Sequence, residues 1–337
     1  MSEQIKLKTQ NRELKTFFPM TPKRIFLTGA SGCIGHYIAD ALIQHTTHDL
    51  FLFVRDPQKL KFDYNARPGI TVIPGNMREI EHVERLLKTI DCAILTATAW
   101  GDPLETYDIN VTKTIRLMNL LDPLVCEQVL YFSTASILDR QHRPLPEAGE
   151  IGTDYIKTKY ICHQQLPKLA IAPQITTLFP TLVFGGDAQK PYSHLSGGIK
   201  DVIRWIDIIR FLRADASFHF LHAHDIAQVV AYLVDHPLDQ THVRELVLGN
   251  PALTVDSAVK QVCDYLNKRI YFRIPLSIRL ANLIIKLFKI QMAAWDRFCL
   301  NYRHFTYENP VHPTLLGLPA YCPTIADLLK ISGVSPR

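Results

Sequence analysis

The chain has 337 residues, 47% of them apolar and 20% charged, and a net charge of +5. That is ordinary soluble composition, with core material for one large α/β domain and a smaller appendage. The charge is spread along the chain without the basic block used for nucleic-acid binding, and no run of about eighteen apolar residues calls for a membrane-spanning helix. Seven cysteines, none in metal-ligand spacing, point to free thiols in a reducing, cytoplasmic setting.

Residues 1–22 read as a flexible or loosely docked leader, without the apolar core of a signal peptide. The first strand is expected at Arg24–Thr28, followed by glycines and a helix through Ile38, Leu42 and Ile43. Further strands read at Phe51–Val54, Thr71–Ile73, Cys92–Thr96, Val129–Ser133 and Ile175–Leu178, with a helix over Asp154–Leu169. The strand runs are apolar throughout, as in strands covered by helices on both faces. Alternating strand and helix predicts βαβ units and a doubly wound parallel sheet of the Rossmann type. Residues 217–236 are expected to rejoin the main sheet as a strand near Phe218–Leu221 and a helix over Asp225–Leu233. The nucleotide domain is therefore assigned to 23–187 plus 217–236. Segments 188–216 and 237–335 are assigned to a smaller, substrate-binding region.

The sharpest local signal is Thr28-Gly29-Ala30-Ser31-Gly32-Cys33-Ile34-Gly35. Glycines spaced by three follow a strand and open a helix. One permits a tight turn, the next lets a pyrophosphate approach, and the last allows close helix–strand packing. The helix N-terminus offers free N–H groups to phosphates. At the end of the second strand an acidic residue would bind the ribose diol of NAD. Here Arg55 stands, and a guanidinium suits the 2′-phosphate of NADP. NAD stays as the alternative, because a register shift of one would put Asp56 there.

Tyr155 and Lys159 are four apart and so share one face of the expected helix. A neighbouring ammonium favours the phenolate, which prepares a tyrosine to exchange a proton with a carbonyl or alcohol. Thr134 ends the fifth strand, at the edge that faces the ligand crevice in parallel sheets; its hydroxyl can hold a substrate oxygen. Asn110 follows the fourth strand and either joins a proton relay behind the lysine or ties down local backbone.

Together these pieces resemble the extended branch of the short-chain dehydrogenase/reductase superfamily, over roughly residues 23–250. The likeness runs through the glycine turn, Gly75-Asn76-Met77, Asn110-Val111, Phe132-Ser133-Thr134, Tyr155/Lys159, Pro180–Gly185 and His222–Ala227. It implies that Thr134, Tyr155 and Lys159 are catalytic, with Lys159 also binding the cofactor ribose and Asn110 a structural or relay residue. It also implies that Pro180, Thr181 and Leu182 line the nicotinamide and that Met77 and Ala97 border the adenosine. Two departures stand out. Asn76 replaces a frequent aspartate, and the segment after the sixth strand lacks the asparagine associated with UDP-sugar recognition. Val54-Arg55-Asp56-Pro57 is instead similar to dihydroflavonol reductases, cinnamoyl-CoA reductases and hydroxysteroid dehydrogenases. The resulting expectation is an NADP-dependent oxidoreductase acting on a hydrophobic small molecule. Its rivals are an epimerase or dehydratase that retains NAD, and a non-catalytic nucleotide-sensing or assembly subunit.

Trp100 and Phe184 are candidates for an apolar pocket wall or for ordinary core. His222 and His224 have no third ligand, so no metal site is expected, and Asp225 reads as the cap of the helix after them. In 275–300, Leu280, Leu283, Ile284, Leu287, Ile290 and Trp295 form an apolar stripe beside Arg279, Lys286, Lys289 and Arg297. It suits a lid or core helix, a peripheral membrane contact, or a homodimer interface.

Overall fold

The computed structural model describes residues 21–238, 244–287, 289 and 291–336, with the backbone alone of Ile284. Most of the expected leader, Ile290 and the Ile284 side chain therefore lie outside the described residues. The main sheet contains β1 (Arg24–Thr28), β2 (Asp49–Val54), β3 (Ile70–Pro74), β4 (Cys92–Leu95), β5 (Gln128–Phe132), β6 (Ile175–Pro180) and β7 (Glu245–Leu248). Their order is β7-β6-β5-β4-β1-β2-β3, and every pairing is parallel. The fold is the Rossmann-type doubly wound α/β sheet. Strand order reverses at β1 and β4, where Thr28 pairs with Leu95, so the crevice opens beyond those two carboxyl ends.

The alternation of side chains along each strand builds two cores. On one face Leu27, Leu52 and Val54 meet Ile38 and Leu42 of α1 (Cys33–His45). On the other, Phe26, Phe53, Leu95 and Tyr131 meet Cys162 of α2 (Asp154–Gln165). Ile38 and Leu42 are wholly buried, which stabilises the fold by about 2 kcal/mol each. Thr153 caps α2 by accepting from Ile156 N–H. The helix ends at Gln165, four residues before the expected Leu169, because Pro167 has no N–H and crowds the preceding turn.

After β6 the chain forms α3 (Ile199–Ile209) and α4 (Ala223–Asp235), and after β7 it forms α5 (Ile278–Leu287) and α6 (Ala294–Tyr302). Here the structure corrects the expected order. The segment near 218–221 does not enter the main sheet: Phe220–His222 pairs with Leu182–Phe184 in a separate two-stranded sheet. The seventh strand is Glu245–Leu248, inside the stretch assigned to the substrate region. Beyond Pro180 the chain continues as the extended Leu182–Phe184, which takes up Phe220–His222. Packing of α4 against α1 then returns the chain to the open edge of β6, whose backbone groups need partners, and β7 supplies them.

Candidate active site

The glycine turn is built by close contacts. Gly29 has φ +79°, and a Cβ there would lie 2.6 Å from Thr96 Oγ1 and 2.7 Å from Ala97 N. A Cβ on Gly35 would lie 2.2 Å from the Gly29 carbonyl oxygen. Gly32 differs: its φ of −89° suits any residue, and the nearest protein atom to an added Cβ is 3.4 Å away. The fold therefore requires glycine at 29 and 35 but not at 32, the position that faces outward. Gly32 caps α1 without a side-chain hydrogen bond, and no acidic residue occupies the first turn. Ser31, Cys33 and Ile34 are half-buried along this bare helix end. Thr28 is turned inward, its hydroxyl accepting from Ala97 N–H at 3.3 Å.

At the far end of the crevice Arg55 is 73% exposed, with Nη1 4.0 Å from Glu105 Oε1. Arg78, which the motifs did not single out, lies 3.5 Å from the same carboxylate and 3.7 Å from Asp108. Asp56 is committed elsewhere: it caps the 3₁₀ turn Pro57–Lys59 by accepting from Gln58 N–H. Met77 is buried in the core beside Phe53, behind this end of the crevice. Two guanidiniums thus sit together here with two carboxylates beside them.

Tyr155, Lys159 and Thr134 converge where β5 ends. Thr134 Oγ1 accepts from Ser136 N–H and donates to Ser136 Oγ, both at 3.3 Å. Burial pushes the Tyr155 phenol above its ordinary pKa, and Thr134 acts in the opposite direction. Desolvation is the larger influence, and the lowering expected from the lysine is not among the causes of the shift. Lys159 is buried, and desolvation lowers its ammonium to about 8, with Cys162 acting in the opposite direction. Its Nζ donates to the Phe132 carbonyl at 2.7 Å and lies 6.0 Å from the Tyr155 ring centre. An ammonium has three donors. Among the described residues Lys159 uses one of them in a hydrogen bond, leaving two for ligand hydroxyls.

Asn110 lies in a π-wound turn, Asp108–Lys113. Its Oδ1 accepts from Thr98 Oγ1 and Ala99 N–H, and its Nδ2 donates to the Ala99 carbonyl and to Thr158 Oγ1, all at 2.8–3.1 Å. Both acceptor sites and both donors are occupied. The side chain has no capacity left for a relay to Lys159; it ties the loop after β4 to α2. Pro180 ends β6 in the core, and Leu182 beyond it is partly exposed.

Trp100 is not core. It is 49% exposed and stacks on Tyr155 with ring centres 3.7 Å apart and planes at 14°. His194 approaches its indole at 4.8 Å. Phe184, by contrast, packs edge-on against Phe220 in a third core, which Ile199 and Ile206 of α3 build with Val259, Val262 and Leu328. The 275–300 segment divides. Trp295 of α6 is buried in a cluster with Ile156, against which Tyr155 also packs, whereas Leu283 and Leu287 of α5 are exposed. Asp225 is not the helix cap. His222 Nδ1 takes that role by accepting from His224 N–H, while the buried Asp225 carboxylate accepts from Tyr321 and Cys322 N–H at 2.7 and 3.0 Å. Among the described residues no group of three metal-ligating side chains occurs.

The chain matches known proteins at several levels. The sequence family described as the NAD dependent epimerase/dehydratase family matches residues 25–249. GDP-mannose 4,6-dehydratase sdnI of Sordaria araneosa is 29% identical over 140 residues, which span 38% of this chain and only 26% of that protein. The fold is similar to the crystal structure of gox2253, with TM-score 0.67, 17% identity, and 93% of this chain and 99% of the other covered. It is also similar to Bordetella bronchiseptica WbmG, solved with NAD and UDP, with TM-score 0.61, 15% identity, and 94% and 97% covered. The family match takes in the glycine turn, the ends of β5 and β6 and the Tyr155/Lys159 pair, and the chain belongs to the NAD dependent epimerase/dehydratase family.

Proposed function

We propose that the protein is an NADP-dependent oxidoreductase that interconverts a carbonyl and an alcohol on an apolar small molecule, with Tyr155 as the acid/base. The observation that carries this reading is the Tyr155 phenol, stacked under Trp100, raised above its ordinary pKa by burial and one helical turn from the buried Lys159 ammonium, whose Nζ lies 6.0 Å from the Tyr155 ring centre. A bound nicotinamide supplies or accepts the hydride. The chain's own residues do the rest. The bare N-terminus of α1 and the turn at Gly29–Gly35 hold the pyrophosphate. Arg55 and Arg78 bind the 2′-phosphate. Lys159 turns its free N–H donors to the ribose hydroxyls, and Pro180 and Leu182 flank the nicotinamide.

In the reducing direction the carbonyl oxygen receives its proton from Tyr155, and the ammonium one turn away stabilises the phenolate that results. Thr134 orients the same oxygen, with Ser136 beside it. Trp100 offers an apolar face over Tyr155, which supports a flat or hydrophobic substrate in place of a sugar. Residues 188–216 and the chain beyond β7 form the substrate side.

A second reading, an epimerase or dehydratase that recycles a retained NAD, is favoured by one observation. Glu105 lies beside Arg55, where it can bind a ribose diol and compete for the guanidinium. The deciding experiment offers NADPH or NADH with a panel of apolar ketones and aldehydes, and identifies any nucleotide released on denaturation. Net oxidation of NADPH that is lost in Tyr155→Phe is the expected result. Retained NAD with no net oxidation overturns the oxidoreductase reading in favour of the second.

A further inference from the structure

Helix α3 is apolar on both sides. Ile199, Ile203, Ile206 and Ile209 pack into the third core, which is the usual single buried stripe. Val202, Trp205 and Ile208 recur every three residues on the other side and are exposed. The strand pair Leu212–Arg213 and Ile274–Pro275 and the stacking of Phe211 on Phe272 at 4.7 Å join this helix to the segment leading into α5. There Tyr271, Phe272, Leu283 and Leu287 are also exposed. These seven side chains range from 43% to 74% exposed. Exposed apolar residues gathered in two joined segments mark an interaction surface.

The charge in the same segments identifies the partner. Residues 192–213 and 268–289 contain ten Lys or Arg and two Asp, whereas the rest of the chain has 27 basic and 30 acidic residues. Lys200, Arg213, Arg269, Arg279, Lys286 and Lys289 are exposed and make no ion pair among the described residues. Cations interleaved with aromatic and aliphatic side chains match an anionic lipid surface, where the apolar groups enter the headgroup boundary and the cations meet phosphates.

We infer that the face formed by α3, residues 271–276 and α5 docks on an anionic membrane surface as a peripheral contact. No helix among the described residues is long and apolar enough to cross a bilayer, so the contact lies in the interface. This proposal stands apart from the catalytic reading, since its readout is binding.

The test is co-sedimentation of the full-length protein with vesicles of phosphatidylcholine alone, and of equal parts phosphatidylcholine and phosphatidylserine. Binding to the mixed vesicles, release by high salt, and quenching of Trp205 by brominated lipid relative to Trp205→Phe are expected. The exposed pair Arg279→Glu/Lys286→Glu is expected to weaken partitioning about tenfold or more, with an unchanged melting temperature showing that the fold is intact. Three results overturn the proposal: no sedimentation of the wild type with anionic vesicles, equal binding by the charge-reversed variant, or a dimer that Leu283→Asp/Leu287→Asp splits, which assigns the face to a second copy.

Discussion

Alanine placed separately at Gly32 and Gly35 divides what the fold needs from what a ligand needs. At Gly35 the new Cβ would sit 2.2 Å from the Gly29 oxygen and 2.7 Å from Thr96 Oγ1. Ordinary contacts begin near 3.4 Å, so helix and turn must separate by about 1 Å, with a cost of about 3 kcal/mol or more where the obstacle is backbone. At Gly32 the nearest protein atom is 3.4 Å away and the backbone is extended. There the weaker helix cap and the reduced freedom of the unfolded chain nearly cancel, to within about 1 kcal/mol. The methyl instead projects over the N-terminus of α1. Thermal melts are expected to show a drop of several degrees for Gly35→Ala and almost none for Gly32→Ala. Calorimetric titration with NADP and NAD is expected to show Gly32→Ala losing affinity by about a hundredfold, roughly 2.7 kcal/mol. If Gly32→Ala binds dinucleotide like the wild type, phosphate does not approach the turn and the cofactor assignment fails. If Gly35→Ala melts like the wild type, the close turn is wrong.

Replacing Arg55 by alanine is expected to cut NADP affinity by about tenfold to a hundredfold while leaving NAD affinity nearly unchanged; equal losses would refute the 2′-phosphate role. Lys159 is lowered to about 8, chiefly by burial, so dinucleotide affinity measured against pH is expected to hold below about 8 and to decline above it as the ammonium is lost. Because the unfolded lysine keeps its proton to higher pH, the same shift makes stability rise with pH between about 8 and the ordinary lysine value, which denaturant melts will read. Trp100→Ala admits water to Tyr155, whose phenol is raised mainly by desolvation; in ultraviolet difference titration against Tyr155→Phe the phenolate is expected to form at lower pH than in the wild type, and an unchanged titration would show that the stacking does not control that pKa. Asn110→Ala removes four hydrogen bonds from a buried site. It is expected to cost about 3 kcal/mol in denaturant melts, and full stability would refute its role in holding the loop after β4.

The central fold was legible because its signals are local. Apolar runs of strand length, glycines between β1 and α1, and a four-residue Tyr–Lys spacing each report on a few neighbouring backbone units, and β1 to β6 lie where those runs occur. Other features depended on groups far apart in the chain. Nothing local distinguishes Phe220–His222 from Glu245–Leu248; the packing of α4 on α1 and the open edge of β6 decide which of them joins the sheet. Trp100 lies 55 positions before Tyr155, and Arg78 and Arg55 meet at Glu105 from three separate segments of the chain. The direction of the phenol's shift escapes the sequence for the same reason: sequence supplies the neighbouring charge, but desolvation is a sum over every atom packed around the ring. Sequence alone determined the parallel sheet, the glycine turn and the Tyr155/Lys159 spacing, since those are written in adjacent residues. Tertiary structure decided which strand closes the sheet, which side chains are already saturated with hydrogen bonds and which apolar face is left uncovered, since burial is a property of the packed whole.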